Sequence, residues 1–182
     1  MKKAIFFDRD GTLIIDKIYL NDPDQITYLP HVFESLAKLR DAGYTFVMVT
    51  NQSGVARGIV TLENLAEIHR RMTVEFERHN IHFAGIYYAP YSVESNHDMR
   101  KPNAGMLLAG AKDHDIDLKK SWIVGDRMTD AEAGLRAGCR SVLLEGVENL
   151  DDLKFTPPTF IAKDLIEMAN GILARENQNE LA

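Results

Sequence analysis

The sequence predicts a doubly wound α/β domain on a parallel sheet, a Rossmann-like arrangement. Three observations carry that expectation. Short apolar runs alternate with helical stretches along the chain. The second run, YTFVMVT, shows no polar–apolar alternation, as in strands covered on both faces. Polar residues of chemical potential follow the runs, where open α/β sheets bind ligands.

KAIFF (3–7) is the first predicted strand. His31 to Ala42 places Val32, Leu36 and Leu39 at helical spacing, and Gly43 stops the helix. YTFVMVT (44–50) is the second strand. Thr61 to Asn80 is a long amphipathic helix with Thr61 and Asn64 as N-terminal caps. GIYYA (85–89), SWIV (121–124) and RSVLL (140–144) continue the sheet, and Asn103 to His114 is helical. Thr129 and Glu132 make a capping-box pattern that opens a helix closing at Gly138. A loop is expected at Thr156-Pro157-Pro158, then a last helix from Lys163 to Ala174, and a frayed tail at 176–182. Five or six parallel strands with no repeat and no linker predict one domain over residues 1–182. No stretch between strand and helix has room for a large cap domain.

With 182 residues and 45% hydrophobic content, the chain suffices for one sizeable core. The net charge of −6 and the scattered Lys and Arg argue against nucleic acid or an anionic membrane as partner. A small anionic ligand needs only a local basic cluster. The apolar run of MKKAIFF stops at Asp8, too early for a signal peptide, and no segment approaches a membrane span. The single cysteine, Cys139, excludes an intramolecular disulfide and a cysteine-rich zinc site. These features predict a cytoplasmic chain, and no long apolar stripe demands more than a monomer.

The strand ends hold the chemistry. The first strand runs into Asp8 and Asp10, and the second into Thr50-Asn51-Gln52-Ser53-Gly54. The third leads through a loop to Arg100-Lys101-Pro102, and the fourth into Gly125-Asp126-Arg127 and Asp130. Asp8, Asp10 and Asp126 offer hard oxygen ligands that suit Mg²⁺ better than zinc. Thr50, Asn51, Ser53, Lys101 and Arg127 offer donors for phosphate oxygens. A carboxylate-held cation beside a lysine and hydroxyl donors can move a phosphoryl group.

DRDGT, VTNQS, RKP and GDRMTD, in that order, resemble the four motifs of the haloacid-dehalogenase superfamily of phosphohydrolases. The likeness runs from Met1 to about Leu144. DRDGTLI, TNQSGVARG (50–58) and RKPNAGM (100–106) resemble more narrowly its heptose-bisphosphate and histidinol-phosphate phosphatases. The resemblance implies that Asp8 is a nucleophile forming an aspartyl-phosphate, and that Asp10 is the general acid and then base. It implies Mg²⁺ held by the Asp8 carboxylate, the Asp10 backbone carbonyl and Asp126, with Asp130 as a candidate through water. Thr50 and Lys101 would hold the phosphoryl oxygens. Asp16, Lys17, Ile18, Tyr19, Asn51, Gln52, Ser53, Arg57, Arg100 and Arg127 would contact substrate. The implied substrate is a small phosphorylated sugar, heptose 1,7-bisphosphate at O7 in lipopolysaccharide precursor synthesis. Histidinol phosphate or another sugar phosphate is the alternative.

One segment departs from the pattern. Relatives in this group carry zinc on a Cys-x-His and Cys-x-Cys loop, where this chain has Ala89, Tyr91, His97 and Met99. One possible ligand of four remains, so no zinc is expected, and Tyr88 and Tyr91 are expected to order the loop by packing. Asp130 stays open between metal ligation through water, orientation of Lys101 and a first-turn acid favoured by the helix dipole. His31, His69, His79, His82 and His114 are expected at the surface or at caps. His97 is better placed for substrate, though a surface role outweighs it. Cys139 and Trp122 are expected in the core, and Asp113, Asp115 and Asp117 in a solvated turn. A signalling receiver domain would put its acceptor aspartate after the third strand, where this chain has none. A catalytically dead binding protein would lack one of the groups named above, and none is missing.

Overall fold

The strands are β1 (Ala4–Phe7), β2 (Thr45–Asn51), β3 (Phe83–Ala89), β4 (Trp122–Gly125), β5 (Arg140–Leu144) and β6 (Phe160–Ala162). In this computed structural model, which describes residues 1–145 and 155–180, they form one parallel sheet in the order β3-β2-β1-β4-β5-β6. The helices are α1 (Val32–Asp41), α2 (Ser53–Ala56), α3 (Leu62–Arg78), α4 (Gly105–Asp113), α5 (Met128–Ala137) and α6 (Leu165–Glu180).

Side-chain alternation along each strand divides the core into two layers. Ile5 and Phe7 of β1 join Phe46, Met48 and Trp122 under α1, α3 and α6. Ala4 and Phe6 join Val47, Val49 and Ile123 under α4 and α5. Helices on both faces explain why β1 and β4 are buried at every position. Trp122 and Cys139 lie in these layers as expected, and burial pushes the Cys139 thiol up to about 12, which keeps it unreactive. No helix among the described residues is long and apolar enough to cross a membrane.

Several boundaries differ from expectation. β6 is the sixth strand, too short to be named from sequence. Ser53 opens a four-residue helix directly after β2. Thr61 caps α3 through Asn64 N–H, whereas the Asn64 side chain donates to Asn21. The expected Thr129–Glu132 capping box is displaced: α5 starts at Met128, and the Asp130 carboxylate accepts from Arg127 N–H at 3.1 Å. That shift anchors Asp130 at the sheet end. α6 runs to Glu180, past the expected stop and into the tail expected to fray, while Leu181 and Ala182 lie outside the described residues. Asp113, Asp115 and Asp117 go separately to Tyr87, the N-terminus and a helical cap.

Phe76 joins α3 to the sheet, with Tyr28, Phe33 and Phe83 rings 5.7, 5.2 and 5.0 Å away. Truncation opens a cavity at this junction. Phe76→Ala is expected to cost about 3–5 kcal/mol, read as a lower urea midpoint at unchanged slope.

Candidate active site

β1 and β4 are neighbours, yet β2 and β5 continue the sheet in opposite directions from them. A crevice opens beyond the carboxyl ends at such a switch. Asp8 leaves β1 there, its amide donating to Val124 O at 2.9 Å, and β4 delivers Asp126 alongside. β2 brings Thr50 and Asn51 to the same rim.

Lys101 enters from the loop after β3 and is 3% exposed. Its Nζ donates to Asp8 Oδ1 at 2.7 Å and Val49 O at 2.9 Å, and lies 2.6 Å from Asp130 Oδ1. Burial penalises its charge, but the two carboxylates outweigh that and raise its proton affinity, so it stays cationic. Asn51 fixes the lysine backbone, donating to Lys101 O and accepting from Lys101 N, both at 3.0 Å. Of the open readings of Asp130, this geometry supports orientation of Lys101 and the helix-start acid together.

Asp126 has the opposite condition. It is 1% exposed, and neither carboxylate oxygen has a hydrogen-bond partner among the described residues. Burial, with Asp8 and Asp130 nearby, pushes its carboxyl up to about 8. Asp8, Asp126 and Asp130 each offer an oxygen within 4.8 Å of the others. A buried anion without a donor fits a hard divalent cation, which would restore the ionised state. Gly11 makes room for it: with φ +79°, its missing Cβ would lie 2.2 Å from Asp126 Oδ2.

Asp10 is gripped from the side. Arg9 donates from Nε to Oδ2 and from Nη2 to Oδ1, both at 3.1 Å. Gln52 Nε2 donates to Asp10 Oδ2 at 2.9 Å and Thr50 Oγ1 at 2.8 Å. Burial raises the Asp10 carboxyl, and the Arg9 charge opposes it. Arg9, unremarked in the sequence, is 1% exposed, and its Nη1 lies 3.1 Å from His69 Nε2. His69 was expected at the surface; it is 8% exposed. Its place at helical spacing with Leu65, Ile68, Met72 and Phe76 is the signal that marks it. Burial and the Arg9 charge push its pKa down to about 3, so it is neutral and accepts from Arg9.

A cavity of about 250 Å³ opens above these groups. Asp8, Asp10, Asp16, Ile18, Tyr19, Asn51, Ser53, Arg100, Lys101, Arg127 and Asp130 line it, together with Thr129, which the sequence reading did not include. Thr50 and Asp126 sit behind the wall. Gln52 is also behind it rather than on it, because its amide is spent on Asp10 and Thr50. Lys17 is exposed away from the wall, and Arg57 stands over the Tyr19 ring at 5.7 Å. Asp16 accepts from Arg127 Nη2 at 3.1 Å, joining the β1 and β4 loops. Burial and the nearby charges of Arg127 and Arg57 lower the Arg100 pKa, which marks a basic rim.

Residues 98–168 match the HAD-hydrolase-like family. The chain is 39% identical over 150 residues to D-glycero-beta-D-manno-heptose-1,7-bisphosphate 7-phosphatase of Pasteurella multocida, covering 79% of this chain and 82% of that one. Identity to the enzyme of that name from Helicobacter pylori strain 26695 is 36% over 168 residues, 91% and 95% of the two chains. The crystal structure of D,D-heptose 1.7-bisphosphate phosphatase from B. bronchiseptica, complexed with magnesium and phosphate, superposes with a TM-score of 0.86. That likeness is at 31% identity and covers 95% and 99% of the chains.

The chain belongs to the haloacid-dehalogenase phosphatase family. It is a phosphoric monoester hydrolase. Among the described residues, this haloacid-dehalogenase phosphatase has no large cap domain: residues 8–31 cross from β1 to α1 with one short 3₁₀ turn at Pro23–Gln25. In the loop after β3, Tyr91 stacks on His97 at 3.6 Å, His97 Nδ1 accepts from Met99 N–H, and Arg100 donates to Tyr91 O. Packing by Tyr91 is as expected. Tyr88 instead lies 5.9 Å from His69, and His97 does not line the cavity.

Gly11→Ala in this phosphatase should displace Asp126. Mg²⁺ titration of activity is expected to shift at least about tenfold, the size of a lost partner on a metal ligand, with an unchanged circular dichroism spectrum. His69 predicts an acid sensitivity. Its folded pKa of about 3 lies below the unfolded value of about 6.5, so the unfolded chain binds more protons between them. Stability therefore falls as pH drops through that window. Urea midpoints of His69→Gln should fall less steeply from pH 6.5 to pH 4 than those of the wild type.

Proposed function

We propose that this phosphatase removes the 7-phosphate of D-glycero-D-manno-heptose 1,7-bisphosphate through an aspartyl-phosphate. The observation that carries the chemistry is the Lys101 ammonium held between Asp8 and Asp130, beside the unpartnered Asp126 carboxylate. A basic rim of Arg100 and Arg127 suits a substrate with a second phosphate, and the relatives' named substrate is the heptose bisphosphate.

Asp8 attacks phosphorus, and the bond to the sugar oxygen breaks. Asp10, two residues on and facing the same cavity, gives its proton to the leaving alkoxide. It then takes a proton from the water that cleaves the acyl phosphate, which frees inorganic phosphate and regenerates Asp8. Lys101 neutralises phosphoryl charge throughout, and Thr50, aligned by Gln52, donates to a phosphoryl oxygen. Asp8, the Asp10 backbone carbonyl and Asp126 would hold Mg²⁺, which supplies further neutralisation of the phosphoryl oxygens. Asn51, Ser53, Asp16, Ile18, Tyr19, Arg100 and Arg127 shape the sugar site. Zinc is not part of this proposal, since Ala89 and Tyr91 offer no metal ligand and His97 Nδ1 is occupied by Met99 N–H.

Asp8→Asn is expected to abolish phosphate release, and Asp10→Asn to lower it by about 10²–10⁴-fold, with the fold intact by circular dichroism. EDTA should stop turnover and Mg²⁺ restore it. Retained turnover by Asp8→Asn would exclude the covalent route. A panel of both anomers of the heptose bisphosphate, histidinol phosphate and common sugar phosphates should show the highest kcat/KM for a heptose bisphosphate. Preference for histidinol phosphate would overturn the substrate. Elemental analysis of the purified protein should find no stoichiometric zinc.

A further inference from the structure

Arg9 carries a permanent charge almost fully out of water, a costly placement unless its donors are matched. Three donors are matched by two partners. Nε and Nη2 form a fork on the Asp10 carboxylate, and Nη1 reaches His69 Nε2. Arg9 and Asp10 are adjacent in the chain, so the fork alone leaves the far edge of the guanidinium without a fixed direction. His69, sixty residues away on α3, supplies it.

The chemical type of that partner matters. A carboxylate at position 69 would compete with Asp10 for the guanidinium and add a second buried negative charge. A neutral imidazole accepts one hydrogen bond and leaves the whole charge for Asp10. Its own position is fixed, because Ile68, Met72 and Phe76 hold the same face of α3 in the core. The helix thereby acts as a reference frame for a side chain in the loop after β1.

We propose that His69 is a positioning residue for Asp10, acting through Arg9. The pair sets the plane of the Asp10 carboxylate, so that its oxygen meets the leaving-group oxygen when the bond to phosphorus breaks. The role rests on the assignment of Asp10 as proton donor in the proposed function. It makes no contact with substrate, and it is separate from the binding of metal and phosphate by Asp8, Lys101 and Asp126.

The test uses the leaving group. kcat/KM reports events up to the first irreversible step, here departure of the leaving group. A sugar alkoxide needs a proton from Asp10, whereas nitrophenolate leaves without one. His69→Leu, which fills the space and removes the acceptor, should lower kcat/KM for heptose 1,7-bisphosphate by about 10- to 100-fold, the usual scale of a misplaced catalytic group. With para-nitrophenyl phosphate it should stay within about twofold of wild type, as expected when no proton donor is required. His69→Gln, whose amide oxygen can accept from Arg9, should recover most of the loss.

Arg9→Lys, which keeps charge and loses the fork, should show the same selectivity and serves if His69→Leu does not fold. Equal losses on both substrates, or no loss on either, would overturn the proposal. A wild-type enzyme that ignores the heptose bisphosphate but cleaves another alkyl phosphate refutes the substrate alone. The same comparison is then read with that alkyl phosphate.

Discussion

The site depends on one buried cation. Lys101 arrives with little access to water, and its ammonium would be prohibitive there without the two carboxylates and the Val49 carbonyl that surround it. Each partner imposes a demand on the fold. Asp8 must leave β1 level with the end of β2, which parallel pairing of Phe7 with Met48 ensures. Asp130 must approach from α5, and Gly125 allows it, because a Cβ there would lie 2.2 Å from its carboxylate. Asn51 closes both backbone hydrogen-bonding groups of Lys101. The lysine therefore ties together elements from four parts of the chain.

Asp126 and Lys101 divide the electrostatics. The Lys101 ammonium is paired without any ligand, so its position is set in advance. Asp126 is left unmatched among the described residues, which raises its affinity for a proton and equally for a cation that would take the proton's place. Burial serves opposite ends in the two cases, since low polarity strengthens a satisfied pair and penalises an orphan. Asp10 lies between these extremes, with burial and Arg9 pulling its proton affinity in opposite directions.

Much of this was legible in the sequence. Strand-end motifs located Asp8, Lys101 and Asp126 because a parallel sheet gathers its carboxyl ends whatever the loops do. The three-residue β6 carries too little pattern to be read. Gln52, expected among the substrate contacts, gives its amide to Asp10 and Thr50; a polar residue in a site motif can serve the wall or its support, and spacing does not tell them apart. Arg9 hid inside a motif whose aspartates drew the attention. His69 hid in plain periodicity, four residues after Leu65 and three before Met72, where a polar residue on an apolar stripe signals a buried partner. The α5 start moved by two residues, from the expected cap at Thr129 to one at Arg127, because the Asp130 carboxylate accepts from the free Arg127 N–H.

The strand-end origin of the site bears on how the chain folds. Asp8 and Lys101 are 93 positions apart, Asn51 and Lys101 are 50 apart, and Arg9 and His69 are 60 apart. Contacts of such sequence separation close large loops and form only once β1, β2 and β3 are side by side, and Asp126 and Asp130 join them only with β4 and α5. No local segment can hold a rudimentary version of the centre. Catalytic competence is therefore a late property of the folding chain, and a growing polypeptide gains it only after its fourth strand and the following helix are in place.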